Sequence, residues 1–367
     1  MSEQKKSPGN IALVLSGGGA RGAFQVGCLK ALAKHANLQS KDISVITGTS
    51  IGAVNSLVLG AGIRYPISEI VETLETVWKN RTYRTTFSGH ISKTFLKSMQ
   101  VALLRYRSPG PVASNVAIFD PSPLINEVDS IMRAFGGLSA ATMPEHLNAV
   151  AVMATLEGPT RKPILIGVCR DKSKVEMEGC TFESLYLDTL TAAHGLASAA
   201  LPSVLPAVDL NIDKREIRLV DGGISDNHPV DPALRHGADN AILLDASGRN
   251  WWFDHYGEAH DTRPQWEVPS EAMSYCRVPN QLFKAANQQG LGLLLKEAIG
   301  GSTKTFIGAL GPTWPIFRIL KHKMGEDLAY EVLSYTALDK EYITALIENG
   351  YNETKDLLEK QGNRIFK

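Results

Sequence analysis

Three short stretches carry residue types and spacings suited to chemistry. Gly48, Thr49, Ser50, Ile51 and Gly52 fit G-x-S-x-G. A serine exposed on a sharp strand-to-helix turn needs small neighbours, because larger side chains there would collide with strand or helix. The helix that follows would aim its dipole and free N–H groups at the reacting centre. Asp221 follows the strand-like run "EIRLV" and is held by Gly222 and Gly223, a setting that projects a carboxylate from a sheet edge. Such a carboxylate can take a serine proton directly, without a histidine. Attack by serine on an ester creates an oxyanion, which needs preorganised N–H donors about 3 Å away. Gly17, Gly18 and Gly19, followed by Arg21 and Gly22, let backbone amides converge on an anion with no side chains in the way.

Other readings compete for the same residues. Gly17, Gly19 and Gly22 also satisfy G-x-G-x-x-G, a dinucleotide fingerprint that expects an acidic residue at the end of the second strand. Here that strand ends in Thr47-Gly48, and Asp42 stands before it, at the wrong end. A Ser-Asp-His triad would draw on His228, His236, His255 or His260. That scaffold does not expect a glycine run before its serine. Malonyl-type acyltransferases share an elbow serine but require a histidine partner in another context. In isolation, Asp221-Gly222 is also a plain turn. No metal-ligand cluster stands out.

The elements that must position these residues are legible. "IALVLS" and "ISVIT" are short apolar runs with β-branched members, as strands covered on both faces require. "RGAFQVGCLKALAKH" supplies the helix between them. "LNAVAVMATLE", "KPILIGVC", "EIRLVDGG" and "NAILLDAS" read as further strands, with helices over Phe182 to Leu196 and Pro229 to Arg235. The alternation predicts an α/β domain with a largely parallel sheet. We read residues 1–10 as a polar tail, 11–250 as the catalytic domain and 251–367 as a mainly helical extension packed on or capping it. Within that extension "DKEYITALIENGYNETKDLLEK" reads as two short helices separated by Gly350, with Asn352 capping the second.

With these pieces assembled, the sequence resembles the patatin-like phospholipases, the serine–aspartate lipid acyl hydrolases. "GGGARG" at 17–22 looks like the family's oxyanion loop, "GTSIG" at 48–52 its nucleophile elbow and "DGG" at 221–223 its aspartate motif. "LASAALPSVLPAV" at 196–208 looks like the Ala-Ser-x-Ala-x-Pro block that packs near the active site, and "DNHPV" like the Asn-x-Pro continuation. The resemblance covers roughly residues 10–246. It implies a three-layer α/β/α fold, Ser50 as nucleophile, Asp221 as general base and an oxyanion hole chiefly around Gly18 and Gly19. It further implies a phospholipid or lysophospholipid substrate and no cofactor. Arg21 sits where the family carries an arginine, either organising the loop or meeting a lipid phosphate; a structural salt bridge is the plainer alternative. Leu205 stands where the family often has phenylalanine, a departure that bears on packing or acyl-chain fit.

Composition is that of a folded globular chain: 367 residues, 44% hydrophobic, 21% charged and formal net charge zero. Overall charge therefore names no partner. Local charge does. Between Val77 and Phe119 stand Lys79, Arg81, Arg84, Lys93, Lys97, Arg105 and Arg107 with no acidic residue, interspersed with Trp78, Tyr83, Phe87, Phe95 and Tyr106. "HISKTFLKSMQVALLRYR" forms a helix with basic and apolar faces, suited to transient contact with an anionic membrane surface, or else to covering the core with solvated lysines. No nucleic-acid motif accompanies it. Leu291, Leu293, Leu294, Leu295, Trp314, Ile316, Phe317 and Ile319 fit a lid, a membrane contact, a homodimer interface or packing of the C-terminal helices. The polar start "MSEQKKSPGN" predicts no Sec signal and a cytoplasmic protein, peripheral at a membrane at most, with export by another route left open. Ile43 to Ile63 and Thr189 to Val208 are uncharged but too rich in Gly, Ser, Thr, Asn or Pro for a spanning helix of about 20 residues. Cys28, Cys169, Cys180 and Cys276 form no C-x-x-C pair and read as reduced core thiols. Two rivals from other classes remain: a dinucleotide-binding oxidoreductase and a catalytically silent lipid-binding protein.

Overall fold

The computed structural model describes residues 10–107, 117–158, 161–212, 215–247, 277–287, 290–299 and 310–366. Eleven strands appear among them: β1 (Ile11–Leu15), β2 (Ile43–Thr49), β3 (Leu138–Ser139), β4 (Ala149–Leu156), β5 (Pro163–Cys169), β6 (Glu183–Tyr186), β7 (Thr189–Leu190), β8 (Val208–Ile212), β9 (Arg215–Asp221), β10 (Asn240–Asp245) and β11 (Gln281–Ala286). Nine of them build one mixed sheet in the order β11-β10-β1-β2-β4-β5-β6, with the β8–β9 hairpin paired to β4. The run β11-β10-β1-β2-β4 is parallel throughout, and β4–β5, β4–β9 and β8–β9 are antiparallel.

The apolar runs sort by the two-residue period of a strand. Ile11, Leu13 and Leu15 of β1 join one core cluster, whereas Ala12 and Val14 join another on the opposite face. The first face is covered by α1 (Gly22–His35), α2 (Ile51–Gly62) and α3 (Ile67–Lys79), which contribute Phe24, Leu57 and Ile70 to that cluster. The second face is covered by α8 (Val230–Arg235) through Val230, Ala233 and Leu234. Helices on both sides of a mostly parallel sheet give the three-layer α/β/α architecture expected from the sequence. The remaining helices are α4 (Tyr83–Thr86), α5 (Ile91–Arg107), α6 (Ser122–Ala134), α7 (Ala192–Ala199), α9 (Leu291–Ala298), α10 (Trp314–Met324), α11 (Glu326–Leu333) and α12 (Lys340–Lys360).

One piece of topology places the site. Parallel β2 ends at Thr49, opposite Met153 of β4. Antiparallel β9 arrives from the other direction on the same edge of β4 and ends at Asp221, opposite Ala154. Two strands therefore meet head to head beside consecutive residues of a third. Ser50 leaves the tip of one, and Asp221 is the tip of the other.

Three local expectations change. Residues 182–196 are not one helix: Glu183–Tyr186 pairs parallel with the open edge of β5, Thr189–Leu190 pairs with β3, and helix begins only at Ala192. Unpaired strand edges outbid local helix propensity there. Gly350 does not split two helices, because α12 runs unbroken through it. A Cβ at Gly350 would lie 2.1 Å from the Phe24 carbonyl oxygen, and one at Gly27 would lie 1.9 Å from that of Ile347. Those two glycines are the crossing point of α1 and α12, and Gly350 serves contact, not termination. The C-terminal residues also do more than pack on the sheet. Strand β11 extends it beside β10, and Phe283, Leu291, Leu295, Tyr342 and Leu346 share the core cluster of β1 and α1. Leu291, Leu295 and Phe317 are thus core residues, while Leu293 is exposed. No helix among the described residues is long and apolar enough to cross a membrane.

Candidate active site

Ser50 occupies the turn between β2 and α2 at φ 54° and ψ −125°. Positive φ is unfavourable for a residue with a Cβ, and strain of this kind collects at functional sites. The flanking glycines make the turn fit. A Cβ at Gly48 would lie 2.4 Å from the Gly52 carbonyl oxygen, and one at Gly52 would lie 2.3 Å from that of Leu15. The Ser50 amide donates to Ser198 Oγ over 2.8 Å, and Ser198 donates in turn to the Met153 carbonyl. Thr49 Oγ1 donates to the Asp226 carbonyl. The elbow is therefore pinned from the β4 side and from the aspartate loop.

Ser50 Oγ donates to Asp221 Oδ2 at 2.7 Å. The other carboxylate oxygen, Oδ1, accepts from the Gly223 amide at 2.7 Å. Thr155 Oγ1 holds the Asp221 carbonyl, and the Asp221 amide donates to Ala200. Asp221 is only 5% exposed. Burial pushes its carboxyl up to about 6, although the Ser50 hydroxyl and the Gly223 amide favour the ionised form and pull the other way. Among the described residues no histidine hydrogen-bonds Ser50 or Asp221. His228 instead meets Asp245 Oδ1 at 3.0 Å, and His236 meets Tyr186 and the Pro232 carbonyl. His255, His260 and Cys276 lie outside the described residues.

The glycine loop lies against the serine: a Cβ at Gly17 would be 3.0 Å from Ser50 Cβ. Its amides are not equivalent. That of Gly17 donates to Asn227 Oδ1 at 3.1 Å and that of Ala20 to the Tyr335 carbonyl at 2.7 Å. Among the described residues the amides of Gly18 and Gly19 have no acceptor, and neither does that of Ile51, the first residue of α2. Gly22 is a packing position, where a Cβ would crowd Ile51 and Trp78. A buried polar chain supports the loop from below. Trp78 Nε1 donates to Asn55, whose amide group donates to Gln25 and to the Gly22 carbonyl, and Gln25 donates to the carbonyls of Ser16 and Leu244.

Among the described residues, none of the hydrogen-bond partners of Arg21 is Ser50. The arginine side chain is fully buried and bonded to Ser334 Oγ, Glu331 and the Ser247 carbonyl. Of the roles open to it, the geometry is that of an organiser held by an ion pair. Arg81 is not part of the basic surface expected from the sequence. It is 5% exposed, pairs with Glu127 and lies 4.7 Å over the Trp78 ring. Lys79 is exposed but paired with Glu75, while Arg84, Lys93 and Lys97 are exposed. Arg105 and Arg107 end α5, and their side chains lie outside the described residues. Leu205 is buried with Val101, Ile118, Phe119 and Leu196 in a small apolar cluster next to the aspartate strand.

Several positions had no stated role in the sequence. Ser198 and Asn227 sit inside the Ala-Ser-x-Ala-x-Pro and Asn-x-Pro blocks, yet only the fold shows that one holds the elbow amide and the other ties the aspartate loop to Gly17. Glu331, Ser334 and Tyr335 carry no motif.

Residues 13–234 match the family model described as patatin-like phospholipase. No curated protein matches the chain in the sequence comparison. Among solved structures, VipD from Legionella pneumophila is similar at 16% identity and TM-score 0.39, covering 96% of this chain and 67% of its own. The human GIVD cytosolic phospholipase A2 is similar at 11% identity and TM-score 0.47, covering 100% and 64%. The ExoU–SpcU complex from the type III secretion system of Pseudomonas aeruginosa is similar at 15% identity and TM-score 0.30, covering 97% and 60%. The chain thus spans about two thirds or less of the length of these structures. The family match takes in more than half of the sequence, including Ser50, Asp221 and the glycine loop, and the chain belongs to the patatin-like phospholipase family.

Proposed function

We propose that the protein is a lipid acyl hydrolase that cleaves carboxylic esters of phospholipids or lysophospholipids through an acyl-serine intermediate. The observation that carries this reading is the 2.7 Å hydrogen bond from Ser50 Oγ to the buried Asp221 carboxylate. Ser50 Oγ attacks the ester carbonyl carbon while its proton passes to Asp221 Oδ2. Negative charge that develops on the carbonyl oxygen is met by the unpaired amides of Gly18 and Gly19, with that of Ile51 on the elbow side. As the tetrahedral species collapses, the alkoxide leaves with the proton from Asp221, and the acyl group stays on Ser50. A water then gives its proton to Asp221 and attacks the acyl carbon. Collapse releases the fatty acid and returns the proton to Ser50. Gly17 belongs to the loop's support, because its amide is committed to Asn227.

The lipid is met at a membrane surface. Leu96, Met99 and Leu103 are exposed on one side of α5, beside exposed Lys93 and Lys97. Val101, on the inner side of the same helix, packs with Leu196 and Leu205 near the aspartate strand. A face of that composition suits an anionic bilayer.

The test is fatty-acid release from mixed phospholipid and lysophospholipid vesicles by wild type, Ser50→Ala and Asp221→Asn. Release by wild type that both substitutions abolish supports the dyad, and the lipid consumed defines the substrate. Vesicle binding without release by wild type would favour a silent lipid-binding protein, and release that survives Ser50→Ala would overturn the mechanism.

A further inference from the structure

The family match ends at residue 234, yet the back of the glycine loop is built from residues far beyond it. The Tyr335 carbonyl accepts from the Ala20 amide at 2.7 Å and fills the space beside Gly19, where a Cβ would lie 2.1 Å from it. Gly19 has φ +57°, so a bare, left-handed residue is required at that contact. The neighbouring Arg21 bonds to α11, to the turn after it and to the end of β10. Its Nε donates to Ser334 Oγ at 2.8 Å, Nη2 to the Glu331 carbonyl at 2.6 Å and to Glu331 Oε1 at 2.7 Å, and Nη1 to the Ser247 carbonyl at 2.7 Å. The Tyr335 ring covers the guanidinium at 3.9 Å, and its hydroxyl donates to the same Ser247 carbonyl at 2.9 Å. Glu331 Oε2 is occupied as well, by the Gly292 amide at 2.8 Å. A buried guanidinium must have its donors matched, so this arrangement has little freedom to drift.

We propose that Glu331 and Tyr335, on α11 and the turn after it, are positioning residues that fix the free amides of Gly18 and Gly19 through Arg21 and the Ala20 amide. The proposal rests on the hydrolase reading for its kinetic consequence. The C-terminal helices are then part of the oxyanion apparatus without touching the substrate. The effect belongs in kcat, because the oxyanion exists only after attack.

The experiment compares full-length wild type, Glu331→Gln, Tyr335→Phe, Tyr335→Leu and, as control, Lys321→Gln. Lys321, near the end of α10, forms an exposed pair with Glu326 at the start of α11. Turnover of lysophospholipid is measured per active site, counted by a fluorophosphonate that labels Ser50. Hydrogen–deuterium exchange is followed on the peptide holding residues 16–24. Tyr335→Leu and Glu331→Gln should lower kcat about tenfold or more with KM within about twofold, since small misplacements of reacting groups can cost up to about a hundredfold. Tyr335→Phe keeps the ring over Arg21 and should retain most of the activity, and Lys321→Gln all of it. The loop peptide should exchange faster in Tyr335→Leu than in Tyr335→Phe. Equal kcat per labelled site across the set, or unchanged exchange of the loop peptide in Tyr335→Leu, would overturn the proposal. If wild type neither turns over lipid nor reacts with the fluorophosphonate, the hydrolase reading fails, and the exchange comparison still decides whether Tyr335 holds the loop.

Discussion

At the scale of single residues the site depends on what burial does to Asp221. The carboxyl is held up to about 6 by desolvation, against two hydrogen bonds that favour its ionised form. A general base must be unprotonated, so the raised value makes activity fall as the pH drops through it. We expect log kcat/KM to be level above about pH 7 and to fall by about one unit per pH unit below about 6. A pH–rate profile checks this, and a rate that stays level down to pH 5 would exclude Asp221 as the base with that value. Ser50 presents the complementary case. Its positive φ costs on the order of 1–3 kcal/mol, a cost that glycine does not carry. Ser50→Gly should therefore be inactive yet more stable than Ser50→Ala by about 1 kcal/mol, as chemical denaturation would show. These two residues were legible in the sequence because small neighbours and a strand end are local properties. Arg21 was only half legible: its position in the loop was evident, but its partners lie more than 200 residues away.

At the scale of elements the site is made by strand ends. Thr49 and Asp221 lie opposite consecutive residues of β4, so the 2.7 Å contact follows from register. The sequence showed six of the strands, since short continuous apolar runs mark burial on both faces. It did not show that β9 runs antiparallel and meets β2 end to end, because pairing partners are not encoded in periodicity. Helix α12 shows the same limit, as Gly350 is a stop signal when judged locally and a contact when packed. Gly350→Ala would force a methyl group against the Phe24 carbonyl. We expect it to destabilise by at least about 2 kcal/mol, measurable as a lower denaturation midpoint. The same change at Gly136, where a Cβ meets nothing within 4 Å but φ is +95°, should cost only the backbone strain, about 1 kcal/mol.

At the scale of the whole molecule, the C-terminal residues complete both the sheet and the core, and α5 presents an exposed face. The sequence separated a catalytic domain from an extension at about residue 250 because composition changes there. Strand β11 and the Arg21–Glu331 pair cross that line, and neither has a compositional signature. The basic stretch was legible as a charge run. Burial of Arg81 and pairing of Lys79 were not, since a charge run does not reveal which cations face water. If α5 meets the bilayer, replacing Lys93 and Lys97 with glutamate should weaken association with anionic vesicles by about 1 kcal/mol per removed basic residue or more. Leu96→Ser should weaken it further, and binding to neutral vesicles should hardly respond to the lysine changes. Co-sedimentation at two salt concentrations would measure all three.

An acyl group attached to Ser50 is the direct mark of the proposed mechanism. Acid-quenching the enzyme during turnover of a lysophospholipid, digesting it and weighing the peptide that holds Ser50 measures that attachment. Wild type should show a mass increase equal to one fatty acyl group and Ser50→Ala none, with fatty-acid release lost in parallel. Undiminished release by Ser50→Ala, or an acyl group found on another residue, would contradict it.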